Sequence, residues 1–177
     1  MTLTPDKVNQ IAAFARKLDS CVNSELRKKF DRPMSDLTAL ISIRNCNSFN
    51  IGWLSNVLEL SHSAAVRVVD RLEGDGLLER QAKDNKKQVG LRISQKGIFL
   101  SDEILSLRGS IVAKLLSPLE SQQLDGLADC ARTVIAANVD QELDAYKTCA
   151  LCDEEGCGIN CPTAAVVSCL PKEKRRS

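Results

Sequence analysis

The sequence has a single histidine, His62, and that scarcity removes most hydrolytic chemistry. No His-Glu-x-x-His pair, no workable Ser/His/Asp set and no phosphate-cradling glycine loop can be assembled from it. Long apolar runs are missing too: nothing approaches the roughly 18 residues that a membrane-crossing helix needs. The first residues, Met1-Thr2-Leu3-Thr4-Pro5-Asp6, have neither the basic segment nor the apolar stretch of a secretory signal. An enzyme is therefore not expected, nor a membrane partner, and the expected location is cytoplasmic.

Net charge is also nearly absent, at +1, but the charges that cancel are unevenly placed. Residues 61–97 hold eight Lys/Arg against five Asp/Glu, whereas residues 98–146 hold three against eight. The first stretch attracts phosphate and the second repels it. Taken alone this is ordinary surface scatter; it matters because a motif falls in the basic stretch. The 177 residues, 44% of them apolar, suit one domain with long helical extensions.

Helical periodicity dominates. Val8, Ile11, Ala15, Leu18, Val22 and Leu26 form one apolar stripe between Asp6 and Phe30, stopped by Asp31-Arg32-Pro33. Ser35 is the expected cap of a second helix, with Leu37, Leu40 and Ile41 facing inward. A third, short helix runs from about Ile51 to Leu58. Ser61 caps a fourth, with Ala65, Val68, Val69 and Leu72 buried and Gly74-Asp75-Gly76 ending it. The period then changes: Leu77–Arg80 and Val89–Ile93 read as strands around the polar turn Lys83-Asp84-Asn85-Lys86-Lys87. Ser94 caps a helix to about Leu116, and Pro118 opens the last long helix, which reaches Tyr146.

The expected class is mostly α with a small β-hairpin wing, a winged helix-turn-helix with long dimerisation helices. The units are an N-terminal dimerisation helix (1–34), a DNA-binding domain (35–97), C-terminal dimerisation helices (98–146) and a cysteine-rich tail (147–177). A helix about 10–12 Å across fits the major groove, and small side chains at its N-terminal end let it seat deeply. That end reads Ser61-His62-Ser63-Ala64. Arg67 and Arg71 follow on the same helix, Arg67 with the reach to bind guanine bidentately. Lys86 and Lys87 at the hairpin tip suit phosphate or the adjacent minor groove. Each residue has a plainer alternative. His62 suits an exposed turn, Arg67 could pair with Asp70 or Asp75, the two lysines suit any solvated hairpin, and Trp53 suits a core.

The stretch from Trp53-Leu54-Ser55 through Leu72-Glu73-Gly74-Asp75-Gly76-Leu77-Leu78-Glu79-Arg80, then Leu91-Arg92-Ile93-Ser94-Gln95-Lys96-Gly97, resembles the MarR family. That family's pattern is Leu-Glu-x-x-Gly-Leu-x-x-Arg, with a wing closed by Leu-(Ser/Thr)-x-x-Gly. Leu116-Ser117-Pro118-Leu119-Glu120 is similar to the start of its final dimerisation helix. The resemblance, covering about Ser35 to Tyr146, implies a homodimeric regulator on a near-palindromic double-stranded DNA operator, and the expected function is a repressor whose signal is metal or redox state at the cysteine-rich tail or a small molecule. The chain departs from the pattern at the wing tip, where Asn85 and Lys87 replace an acidic-x-Arg element, and at Glu59, where a turn glycine is common.

Five of the eight cysteines lie in the last 29 residues. Cys149, Cys152, Cys157 and Cys161 are spaced C-x2-C-x4-C-x3-C and followed by Pro162, enough thiolates to close round one metal centre. Zinc is the expected ion, with an iron–sulfur cluster as the alternative and a metal-free tail as the plain one. Cys169 is a spare thiol that could replace a ligand or resolve a disulfide. Cys21, Cys46 and Cys130 suit small core positions, although some peroxide-sensing relatives use a first-helix cysteine, which makes Cys21 a redox candidate. Two rivals to a regulator remain. A thiol oxidoreductase would use Cys149-Ala150-Leu151-Cys152, which lacks a βαβ context, and a winged-helix module could serve protein contacts alone.

Overall fold

The computed structural model describes residues 3–46, 50–82 and 89–174. Over the described residues the chain is mostly helical with one two-stranded antiparallel sheet, as its periodicity predicts. No helix among the described residues is long and apolar enough to cross a membrane.

Helix α1 (Pro5–Phe30) opens on a proline, where the missing N–H has no intrahelical partner to lose. It ends at Asp31, left-handed at φ 49°, whose N–H closes onto the Arg27 carbonyl. Its apolar stripe divides: Val22 and Leu26 are buried, while Val8, Ile11 and Phe14 are exposed. Helix α2 (Met34–Asn45) starts one residue before the expected cap. Pro33 takes the cap position, and the Ser35 hydroxyl donates to Asp36 at 3.2 Å instead.

Helix α3 (Ile51–Val57) is capped by Asn50, whose side chain accepts from the Trp53 N–H at 2.7 Å. Helix α4 (His62–Gly74) is capped by Ser61 and buries Ala65, Val68, Val69 and Leu72, as expected. Gly76 then turns the chain at φ 71°, a conformation that costs glycine little. Strands β1 (Leu78–Ala82) and β2 (Val89–Ile93) pair with Leu78 opposite Ile93 and Arg80 opposite Leu91. The turn between them, with Lys86 and Lys87, lies outside the described residues. Ser94 caps helix α5 (Gln95–Leu116) by accepting from the Gly97 N–H at 3.0 Å.

The last third departs from expectation. Helix α6 runs Ser121–Ala137, starting after a Glu120–Gln123 capping box rather than at Pro118. The chain breaks at Asn138 and resumes as α7 (Glu142–Thr148), because Asp144 accepts the Asp140 and Gln141 N–H groups at 3.2 and 3.1 Å and nucleates a new helix. Two short helices follow, α8 (Glu154–Cys157) and α9 (Pro162–Cys169), so the cysteine segment is folded.

Helix α2 is the hub. Seven of its twelve residues are buried, Leu37, Leu40 and Ile41 almost completely, and it packs against α1, α4 and α5. Its Asp36 carboxylate is only 1% exposed and takes a bidentate fork from Arg71 of α4, at 2.9 Å from Nε and 2.5 Å from Nη2. That hydrogen bonding holds the Arg71 guanidinium above its ordinary pKa. Arg71 was expected to face DNA; its planar fork instead fits the carboxylate that α2 buries, so it ties α2 to the recognition helix. Gly97 has an equally local cause. A Cβ there would stand 2.1 Å from the Leu77 backbone carbonyl and 2.7 Å from Ile93 Cγ1.

Two outcomes follow. Arg71→Ala leaves a buried carboxylate without a counter-ion and should cost about 3–5 kcal/mol. Asp36→Ala should cost less, because the Arg71 side chain is 46% exposed and can turn to water. Urea unfolding of the two variants checks the order. Gly97→Ala should cost at least the ~1–3 kcal/mol typical of overpacking, because backbone cannot swing aside as a side chain can; its thermal midpoint should fall accordingly.

Candidate nucleic-acid interface and thiol pocket

Helix α4 presents one face to the core and its opposite face to solvent. At its N-terminal end Ser61, His62 and Ser63 are exposed and Ala64 is half-buried. The Ser61 hydroxyl accepts from the Ala64 N–H at 3.3 Å and lies 3.2 Å from the Ser63 hydroxyl, so the first turn is capped by its own serines. The positive end of the helix dipole emerges at this surface.

Arg67 is exposed one turn further in. The two carboxylates that could have claimed it are occupied. Asp70 pairs with Arg80, which also bonds Glu73, and Asp75 pairs with Arg32 at 2.7 Å. Among the described residues no carboxylate is left on Arg67, whereas Arg71 beside it is held by Asp36. Behind α4 stands α3, joined to it by a turn in which Glu59 takes the left-handed conformation at φ 54°. The position where glycine is common does demand glycine-like backbone here, and a glutamate meets the demand at a cost of about 1 kcal/mol or more. Its carboxylate accepts from Lys147 Nζ of α7 at 2.8 Å.

The thiols converge on a separate place. Cys149, Cys152, Cys157 and Cys161 all line one cavity of about 400 Å³, with Tyr146 and Thr163 among its other walls. The hydroxyl of Thr163, only 4% exposed, lies 3.4 Å from Cys149 Sγ and 3.2 Å from Cys161 Sγ. Arg108 of α5 brings Nη2 to 3.9 Å from Cys152 Sγ. The hydrogen bond from Cys149 lowers the Cys152 thiol to about 7 against the opposing effect of burial, with the Arg108 charge assisting. That same bond, with burial, holds Cys149 far above the ordinary thiol range, and burial raises Cys157. Among the described residues, no three His, Cys, Asp or Glu side chains converge as tightly as one bound ion requires.

The other cysteines stand apart. Cys169 is exposed and does not line the cavity, and Cys21 is half-buried on α1. Cys46 is buried as expected, 3.8 Å from the Tyr146 hydroxyl. Cys130 is not a core residue; it is exposed on α6, a helix that buries no residue against its own chain.

The cysteine segment packs through α9 on the long helix α6 and is also tied to α2 and α3. Ser42 of α2 donates to the Ala150 carbonyl at 3.1 Å, and Asn45 to the Cys152 carbonyl at 2.9 Å. Tyr146 meets Trp53 of α3 edge to face, centroids 5.4 Å apart. Sequence reasoning missed Asp36, Thr163, Arg108 and the Glu59–Lys147 pair. Only Glu59 carried a signal, as a departure from the glycine the turn prefers.

Residues 33–89 match the MarR family. The chain is 28% identical over 111 residues to the HTH-type transcriptional repressor MdtR of Bacillus subtilis (strain 168), an alignment spanning 61% of this chain and 71% of that one. It superposes on a MarR family protein from Bacillus stearothermophilus with a TM-score of 0.66 at 20% identity, covering 75% of this chain and 96% of the other. Wild-type MarR from E. coli in its apo form gives a TM-score of 0.62 at 23% identity, covering 76% and 98%. Those structures are matched almost end to end while a quarter of this chain falls outside the match, so it has additional structure of its own. The arrangement of α2, α3, α4 and the β1–β2 wing is the winged helix-turn-helix fold of those structures, and residues 33–89, which span most of it, are similar to the MarR family.

Proposed function

We propose that the chain is a sequence-specific DNA-binding transcriptional regulator, a repressor, that reads a near-palindromic operator as a homodimer. The observation that carries this reading is the solvent-facing end of α4. Small residues Ser61, Ser63 and Ala64 allow close approach to the groove floor, His62 stands beside them, and Arg67 has no competing carboxylate among the described residues. Likeness to a protein named a transcriptional repressor supports the same reading. Lys86 and Lys87 join it as phosphate contacts on the ground of their sequence position. A module for protein contacts alone would be favoured by a covered α4 face, and that face is open.

Exposed apolar side chains support the dimer. Val8, Ile11 and Phe14 on α1, Phe99 on α5 and Leu124 and Val134 on α6 stay exposed over a third or more of their surface within their own chain. Apolar area left in water on three long helices is what a second copy would bury.

Sedimentation at micromolar concentration should therefore report a dimer, and half-sites should lie one DNA turn, about 34 Å, apart; a monomer sinks the assembly. Arg67→Ala should cost about 1–3 kcal/mol at the specific site and relax preference at one base pair. Lys87→Ala should instead weaken all duplexes alike and flatten the salt slope by about one. Binding isotherms on selected and scrambled duplexes at several salt concentrations separate the two, and identical behaviour would overturn this division of labour.

A further inference from the structure

We propose that Cys149, Cys152, Cys157 and Cys161 hold an iron–sulfur cluster, and that the cluster sets the position of the helix-turn-helix through α7. The second half rests on the DNA-binding reading above; the first does not. Four cysteine sulfurs around one space are a soft-ligand set, selective for zinc or iron–sulfur chemistry. The cavity they line, about 400 Å³ and shared with Tyr146 and Thr163, has room for the cage of iron and sulfide that a cluster puts between its thiolates, and the charge and sequence beside it favour the cluster over a single zinc ion.

The surroundings suit it. Each thiol loses its proton on forming an iron–sulfur bond, so the assembled centre carries negative charge, and Arg108 stands 3.9 Å from Cys152 Sγ to balance it. The Thr163 hydroxyl reaches Cys149 and Cys161 together, a hydrogen-bonding group of the kind that tunes such clusters. Pro162 directly follows the last ligand, as in bacterial ferredoxins. The ligating loop is anchored at its backbone by Ser42 and Asn45 of α2.

The path to DNA is short. Cys149 is the residue on which α7 ends, and α7 touches the turn before the recognition helix through Lys147–Glu59 and the helix α3 through Tyr146–Trp53. Assembly of the cluster fixes where α7 ends and so biases the α3–α4 turn, which α7 contacts at the strained Glu59.

Full-length protein purified anaerobically should contain about four iron and four acid-labile sulfide per protomer and a broad visible absorption bleached by dithionite. The double variant Cys152→Ser/Cys157→Ser should lose both while keeping its helical circular dichroism; Cys169→Ser, outside the cavity, should keep them. Affinity for a duplex selected from a random-sequence pool should differ about 5–150-fold between cluster-loaded and chelator-stripped protein. One equivalent of zinc without iron, no metal at all, or loss of iron in Cys169→Ser overturns the site. Equal affinities of the loaded and stripped forms overturn the coupling and leave the cluster. A loaded protein that binds no duplex in either form overturns the regulator reading, and the coupling with it, while the iron and sulfide content still decides the cluster.

Discussion

Everything in this molecule hangs on the burial of helix α2. A helix enclosed on most sides must satisfy each polar group it carries with a partner from a neighbouring element, since water cannot reach them. Asp36 near its start does so with Arg71, which locks the recognition helix at a fixed angle. Ser42 and Asn45 near its end do so with the carbonyls of Ala150 and Cys152, which locks the cysteine segment. One helix therefore connects α4 and the thiol pocket across a packed core.

The charge arrangement on α4 follows the same economy of partners. Three arginines around this helix are held by carboxylates: Arg71 by Asp36, Arg80 by Asp70 and Glu73, Arg32 by Asp75. Pairing them removes the acidic residues that would otherwise repel phosphate or capture Arg67.

The cysteine segment shows how a departure in sequence can have a structural counterpart far away in the chain. Glu59 in a left-handed turn is disfavoured locally, and its carboxylate is met by Lys147, 88 residues later, on α7. A glycine would relax the turn and lose that contact. The pair is an exposed one and contributes little stability alone; its significance lies in joining an added segment to the turn of the helix-turn-helix, beside the larger Tyr146–Trp53 contact.

Local chemistry was legible in the sequence. The 3.6-residue period, the caps Ser61 and Ser94, the turn at Gly74-Asp75-Gly76 and the buried set Ala65, Val68, Val69 and Leu72 depend on neighbours within a few residues, and each stands where the sequence places it. The motif glycine Gly97 was legible as a position, and only the fold supplied its reason, the Leu77 carbonyl against it. Pairings across the chain were not legible. Nothing local marks Asp36 as the partner of Arg71, or Thr163 and Arg108 as neighbours of the thiols, because a side chain's partner is decided by which faces pack together. The same holds for the break at Asn138, where Asp144 captures two backbone N–H groups and the apolar period runs on regardless. Sequence alone determined the elements and the family pattern; tertiary packing decided which arginines are tied to carboxylates and where four spaced cysteines meet, since both depend on contacts between residues of different elements.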